Sequence, residues 1–197
     1  MRKTAYHHGD LKNALYKACH RLLKQKDPKE ISLRSVAEIA GTSHAAIYRH
    51  FKDKDELLEV MAAFGFEKLA NAQKKAFEKI KHPKEGFVAL GLAYIKFAVS
   101  NPSYYKLMFQ TKRTKVSLNL RRSQIRSYSV LLHSCKVYLD SVGKKTNPKE
   151  YAMMAWSLVH GYSNLVIETD FPKTEAGSMK KPVLVLAEDI LRRSVDL

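Results

Sequence analysis

Leu11, Ala14, Leu15, Ala18, Cys19, Leu22 and Leu23 fall on one stripe at helical spacing, with Lys12, Lys17, Arg21 and Lys24 off it. Apolar residues every three or four positions give a helix one dry face, so the pattern predicts a first helix over 11–24. It should stop at Asp27-Pro28, because proline disfavours helical backbone in the residue before it. Ser32 is a plausible N-cap for a second short helix through Val36, Ala37, Ile39 and Ala40, and Gly41 supplies a sharp turn. Ser43 can cap a third helix, 44–51. Asp53-Lys54-Asp55-Glu56 reads as a capping box opening a fourth. Its apolar positions run from Leu57 through Met61, Phe64, Leu69, Ala72 and Phe77 to Ile80, and Pro83 closes it. Helical spacing continues over 85–100, 103–110, 117–141, 148–168 and 182–195. No stretch alternates with period two between hairpin turns. The expected fold class is therefore all-α, with about nine helices.

At 197 residues the chain can form one domain, or a small domain joined to a larger one. The helix lengths suggest a head of short helices, 1–54, and a larger helical part, 55–197. Apolar residues make up 45%, enough for a core, which excludes wholesale disorder. Lys and Arg number 35 against 19 Asp and Glu, a net charge of +16. Such an excess suits nucleic acid, an anionic membrane surface or a merely solvated lysine-rich exterior. The charge is uneven: residues 1–54 hold 12 basic and 5 acidic side chains, and the other 143 hold 23 and 14. The head is thus the more positive part per residue.

Other chemistries find little support. Cys19 and Cys135 stand far apart without C-x-x-C spacing, and the first residues lack a signal peptide's apolar core, which together indicate a reduced, cytoplasmic protein. The longest apolar uncharged run, 151–167, contains Ser157, His160, Ser163 and Asn164 and is too short and polar to span a bilayer. The eight histidines lack H-x-x-x-H spacing. There is no glycine-rich phosphate loop and no nucleophile elbow. Neither catalysis, a metal nor a cofactor is expected.

Short helices with a glycine turn between the second and third make the layout of a helix-turn-helix. Ile47 and Phe51 share a face that would pack on Val36 and Ile39, leaving Ala45, Ala46, Tyr48 and Arg49 pointing largely away, towards a groove. Small residues at 45 and 46 allow close approach to base edges, where an alanine methyl can meet a thymine methyl. Tyr48, His50 and Lys54 suit phosphate. Arg2 and Lys3 could form an arm for an adjacent minor groove. An ordinary three-helix packing unit with solvated Tyr and Arg satisfies the same spacing.

The run from Ile31 to Leu58, with Tyr48-Arg49-His50-Phe51-Lys52-Asp53-Lys54-Asp55-Glu56-Leu57 as its most diagnostic part, resembles the DNA-binding motif of TetR-family transcriptional regulators. Tyr6-His7-His8-Gly9-Asp10-Leu11 and Asn101-Pro102-Ser103-Tyr104-Tyr105 resemble a subset of that family. Trp156-Ser157-Leu158-Val159-His160-Gly161 resembles the subset's Trp-x-x-x-His-Gly signature. The resemblance implies that Ser32 and Arg34 touch DNA backbone, that Ser43, Ala45, Ala46 and Tyr48 face bases and nearby phosphates, and that His50 and Lys54 contact phosphate. His44 and Arg49 occupy variable positions that could set sequence preference. Thr42 departs from the usual valine and brings a hydroxyl that needs solvent, DNA or another partner.

The resemblance further implies a ligand-responsive repressor, a homodimer through 148–168 and 182–195, on a palindromic double-stranded DNA operator. Candidate linings for an unidentified small-molecule effector are Phe64, Tyr94, Tyr104, Met108, Tyr128, Trp156 and His160, although ordinary core packing accounts for each of them more readily. No acidic residue lies among the 54 residues between Glu85 and Asp140, although nine basic ones do. A solvated face accounts for that; so does an anionic effector entering near Arg121, Arg122 and Arg126. The competing reading of the whole chain is a basic helical protein that binds nucleic acid or anionic membrane without sequence preference.

Overall fold

A computed structural model describes the backbone of residues 8–109, 116–169 and 182–196. Among these the chain forms α1 (His8–Leu23), a 3-10 turn (Pro28–Glu30), α2 (Leu33–Ile39), α3 (His44–Ile47), α4 (Lys54–Glu78), α5 (Pro83–Ser100), α6 (Pro102–Phe109), α7 (Leu118–Ser141), α8 (Pro148–Glu168) and α9 (Val183–Asp196), with no strand. The all-α class with nine helices is as expected. One helix is markedly shorter than its apolar spacing predicts. α3 ends at Ile47 because the next N–H groups bond three residues back, Arg49 to Ala46 at 3.2 Å and His50 to Ile47 at 2.9 Å. That tightened winding carries the chain to Phe51 without a regular helix.

The chain forms two compact units. The first comprises the chain up to Gly65 together with Ser103–Arg121, and the second Phe66–Pro102 together with Arg122 onward. All three divisions fall inside helices, in α4, in the first turn of α6 and in α7, rather than in loops.

In the first unit, Leu15 and Cys19 of α1, Val36 and Ala37 of α2, Ile47 of α3, Phe51, and Leu57 and Met61 of α4 are buried together with Tyr105 and Leu107 of α6. Ile39, expected inside against Ile47 and Phe51, is instead 41% exposed. The inner stripe of the seven-residue α2 is Leu33, Val36 and Ala37, and Ile39 lies about 110° round the helix from its centre. α2 closes in a Schellman motif: Gly41 N–H donates to Glu38 O at 3.1 Å and Thr42 N–H to Ala37 O at 3.0 Å. The motif needs left-handed backbone after the cap, and Gly41 has φ +68°.

In the second unit α5 packs on α8 and α9. The approach is close at Gly91, where a Cβ would lie 3.0 Å from both Leu191 methyls. Phe87 stacks on Tyr138 with ring centroids 5.1 Å apart, and the Tyr138 hydroxyl donates to Val195 O at 2.6 Å. Arg192 of α9 bridges Glu188 and Glu85, the latter at 2.7 Å. Burial pushes the thiols of Cys19 and Cys135 up to about 12, so neither is a nucleophile at neutral pH. No helix among the described residues is long and apolar enough to cross a membrane, and no group of His, Cys, Asp and Glu there could hold a metal.

Candidate nucleic-acid interface

The interface is assembled at helix starts. Ser32 caps α2: its Oγ accepts from Ser35 N–H at 3.1 Å, and Ser35 Oγ accepts in return from Ser32 N–H. Ser43 caps α3 by accepting from Ala46 N–H at 3.2 Å. The accepting Ser43 hydroxyl still has its own proton to donate outward, whereas that of Ser32 donates to Ser35 Oγ at 3.1 Å. Asp53 Oδ1 accepts from Glu56 N–H at 2.8 Å, while Glu56 Oε2 reaches back to the N–H of Lys52 at 2.8 Å. The reciprocal box expected at 53–56 thus closes one residue earlier than its pattern suggests. The Glu56 N–H is the chief reason that the Asp53 carboxyl is held below the usual range.

These starts border an open groove of about 400 Å³ lined by Ser32, Leu33, Arg34, His44, Tyr48, Lys52, Asp53 and Lys54. Arg34, Lys52 and Lys54 give it three cations, and Ser32 and Tyr48 two hydroxyls. Arg34 also bonds Glu38 at 3.1 Å, both side chains well exposed, so this pair is easily exchanged for a phosphate. The Lys54 ammonium donates to Lys29 O at 2.7 Å. Tyr48 is 50% exposed, with the His44 ring edge-on to it at 5.2 Å. Cations and hydroxyls around a cleft of this size suit the oxygens of a phosphodiester.

Of the candidate DNA contacts, Ser32, Arg34, His44, Tyr48 and Lys54 meet in this groove. Ser43, Ala45 and Arg49 are exposed outside it, while Thr42, Ala46 and His50 are half-buried. Leu33, Lys52 and Asp53 were not foreseen as lining residues. Lys52 is a basic residue amid the motif, but its spacing alone does not say which way it points.

Residues 12–61 match the family model described as bacterial regulatory proteins, tetR family. Residues 87–181 match the one described as tetracyclin repressor-like, C-terminal domain. The chain belongs to the TetR family. Its helix-turn-helix is that of a DNA-binding transcriptional regulator, and both matches point to a regulatory role. A protein of unknown function from Rhodococcus sp. RHA1 has a similar structure at 26% identity and TM-score 0.78, with 98% of each chain covered. The TetR family transcriptional regulator PfmR from Thermus thermophilus shares the fold at 20% identity and TM-score 0.61, over 99% of this chain and 96% of its own. A regulatory protein in the tetR family from Rhodococcus RHA1 shares it at 17% and 0.67, over 94% and 95%. No curated protein matches the sequence.

The candidate effector residues of this TetR-family chain are divided between the two units. Phe64, 42% exposed, lies edge-on to Tyr16 at 5.4 Å. The Tyr104 hydroxyl bonds His20 Nδ1 at 2.9 Å, and Met108 is buried against Gly65. Tyr128 is half-buried on α7. In the second unit Trp156 Nε1–H donates to the Tyr94 hydroxyl at 3.4 Å, and Tyr94 bonds His160 Nδ1 at 2.8 Å. Indole can only donate, so Tyr94 accepts from Trp156, while the direction of its bond to His160 follows the imidazole tautomer, Tyr94 donating when the ring proton sits on Nε2. Burial holds the His160 imidazolium below its usual pKa, which favours the neutral ring.

Of the cationic candidates, Arg126 pairs with Glu67 and donates to Asn71 Oδ1 at 3.0 Å, so its guanidinium is engaged; Arg121 and Arg122 are exposed. Arg2, Lys3, Lys112, Arg113 and Lys115 lie outside the described residues.

Proposed function

We propose that this TetR-family regulator is a ligand-responsive repressor acting as a homodimer on a palindromic operator, with Ser32, Arg34, Ser43, Tyr48, His50 and Lys54 on phosphate and His44, Ala45, Ala46 and Arg49 towards base edges. The carrying observation is the groove itself: hydroxyls and cations from α2, α3 and α4 converge beside the exposed Ala45 and Arg49. Phosphate contacts on both sides of a short helix orient it, and base edges then supply sequence preference.

The outward faces of α8 and α9 support dimerisation. Met153, Met154, Leu165 and Val185 are each about half exposed, and a Cβ on Gly161 of the same α8 face would meet nothing within 4 Å. An apolar helix face without a large side chain at its middle suits close contact with a second copy. Two recognition helices related by a twofold axis match an inverted repeat, and the second half-site is met at high effective concentration. Tyr94, Trp156 and His160, the last two from the signature of the suggested subset, are polar groups suited to an effector, which would act by favouring one of two states of the dimer.

The test is selection of bound fragments from genomic DNA by the purified full chain, paired with sedimentation. The expected result is an enriched inverted repeat bound by a dimer. Retention of fragments irrespective of sequence would instead show a basic helical protein with non-specific affinity.

A further inference from the structure

We infer that Asp27, which lies outside the groove, is a positioning residue for DNA binding, because it fixes the turn whose carbonyl holds the Lys54 ammonium. The inference rests on the reading of Lys54 as a phosphate contact. The two carboxylate oxygens of Asp27 have separate partners. Oδ1 accepts from Lys29 N–H at 2.9 Å and so caps the 3-10 turn Pro28–Glu30. Oδ2 faces Lys106 Nζ of α6 at 3.7 Å. The carbonyl of the same Lys29 accepts from Lys54 Nζ at 2.7 Å. An ammonium has three N–H donors, so the bond to Lys29 leaves two for a phosphate oxygen while fixing where the charge stands. A lysine side chain otherwise has four rotatable bonds to order on binding, which costs affinity. Lys106, Asp27, Lys29 and Lys54 therefore form one chain of polar contacts within the first unit, and only its last member lines the groove.

The proposal opposes simple electrostatics in sign. Removing an acid near a DNA-binding surface should tighten binding through weaker repulsion. If Asp27 positions Lys54, removing it weakens binding instead.

The experiment measures operator and random-duplex affinity of the full chain across a salt series, with thermal melting of each variant to establish that it is folded. Lys54→Met is expected to lose about five- to tenfold on both duplexes and to flatten the salt slope by about one. Asp27→Ala is expected to lose most of that factor, with the same flattening, and to lose almost nothing further when combined with Lys54→Met. Asp27→Asn keeps an oxygen for Lys29 N–H and should bind close to the native chain, whereas a purely electrostatic role would make it tighten binding as Asp27→Ala would. If Lys54→Met leaves affinity and slope unchanged, the reading of Lys54 fails and the inference with it. If Lys54→Met weakens binding while folded Asp27→Ala binds as well as the native chain or better, or if the two losses simply add, the reading stands and the inference is overturned.

Discussion

Tyr48 and Ala45 are three residues apart at the recognition helix, and they should fail in different ways. Tyr48→Phe removes a hydroxyl suited to phosphate, so affinity for every duplex should fall alike, by about 1 kcal/mol. Ala45→Leu leaves phosphate contacts intact but fills the space where a base edge would come. Gel-shift titration should then show operator binding impaired far more than random DNA. Both readings were legible in the sequence because the Tyr-x-His-Phe-x-x-Lys-x-x-Leu run fixes the register of the recognition helix. Ile39 was not legible, because a position near the edge of a seven-residue helix can turn in or out without breaking the periodicity, and neither was Lys52, which lies between α3 and α4 where helical spacing does not apply. His160 offers a test by pH. Its imidazole is kept neutral in the fold, below the usual value of 6.5, by burial. As pH falls below 6.5 the unfolded chain takes up the proton first, so stability should decline until the folded-state value is passed and then level off. Urea midpoints at about pH 7.5 and about pH 5.5 should therefore differ, and His160→Gln should reduce the difference.

Among the elements, caps proved easier to read than ends. Ser32, Ser43 and Asp53 all cap as their types suggest, since a short polar side chain before an apolar stripe has few other uses. The end of α3 was invisible, because Phe51 keeps its apolar place through tightened turns as it would through a regular helix. Glycine supplies the sharpest test at this scale. Gly41 holds the turn between α2 and α3 at φ +68°, with open space around a would-be Cβ. Gly41→Val should cost about 1–2 kcal/mol through backbone strain alone, read as a lower urea midpoint.

The partition of apolar surface between a chain's interior and a second copy belongs to the whole molecule, and the sequence is silent on it. Tyr151, Val159 and Val166 of α8 are buried while Met153, Met154 and Leu165 on the same helix are about half exposed, yet all six are apolar. Packing within the second unit separates them, with α5 on α8 and Tyr138 of α7 against Tyr151. Gly161→Leu tests what covers the outer face. Among the described residues a Cβ there would meet nothing within 4 Å, and helix propensity favours leucine over glycine. Melting at low protein concentration should therefore be unchanged or slightly raised. Sedimentation should nevertheless show a monomer, with operator affinity lost along with the second half-site.

The chain has a single tryptophan, Trp156, with its ring centroid 6.0 Å from that of His160. A protonated imidazole at that distance is an efficient quencher of excited indole, whereas the neutral ring is a weak one. The molecule thus carries its own optical gauge, and all of its indole emission comes from beside one hydrogen-bonded histidine in the second unit. A compound that entered between Trp156, Tyr94 and His160 would change brightness or colour without any label, while DNA bound at the helix-turn-helix could be titrated against a background set elsewhere.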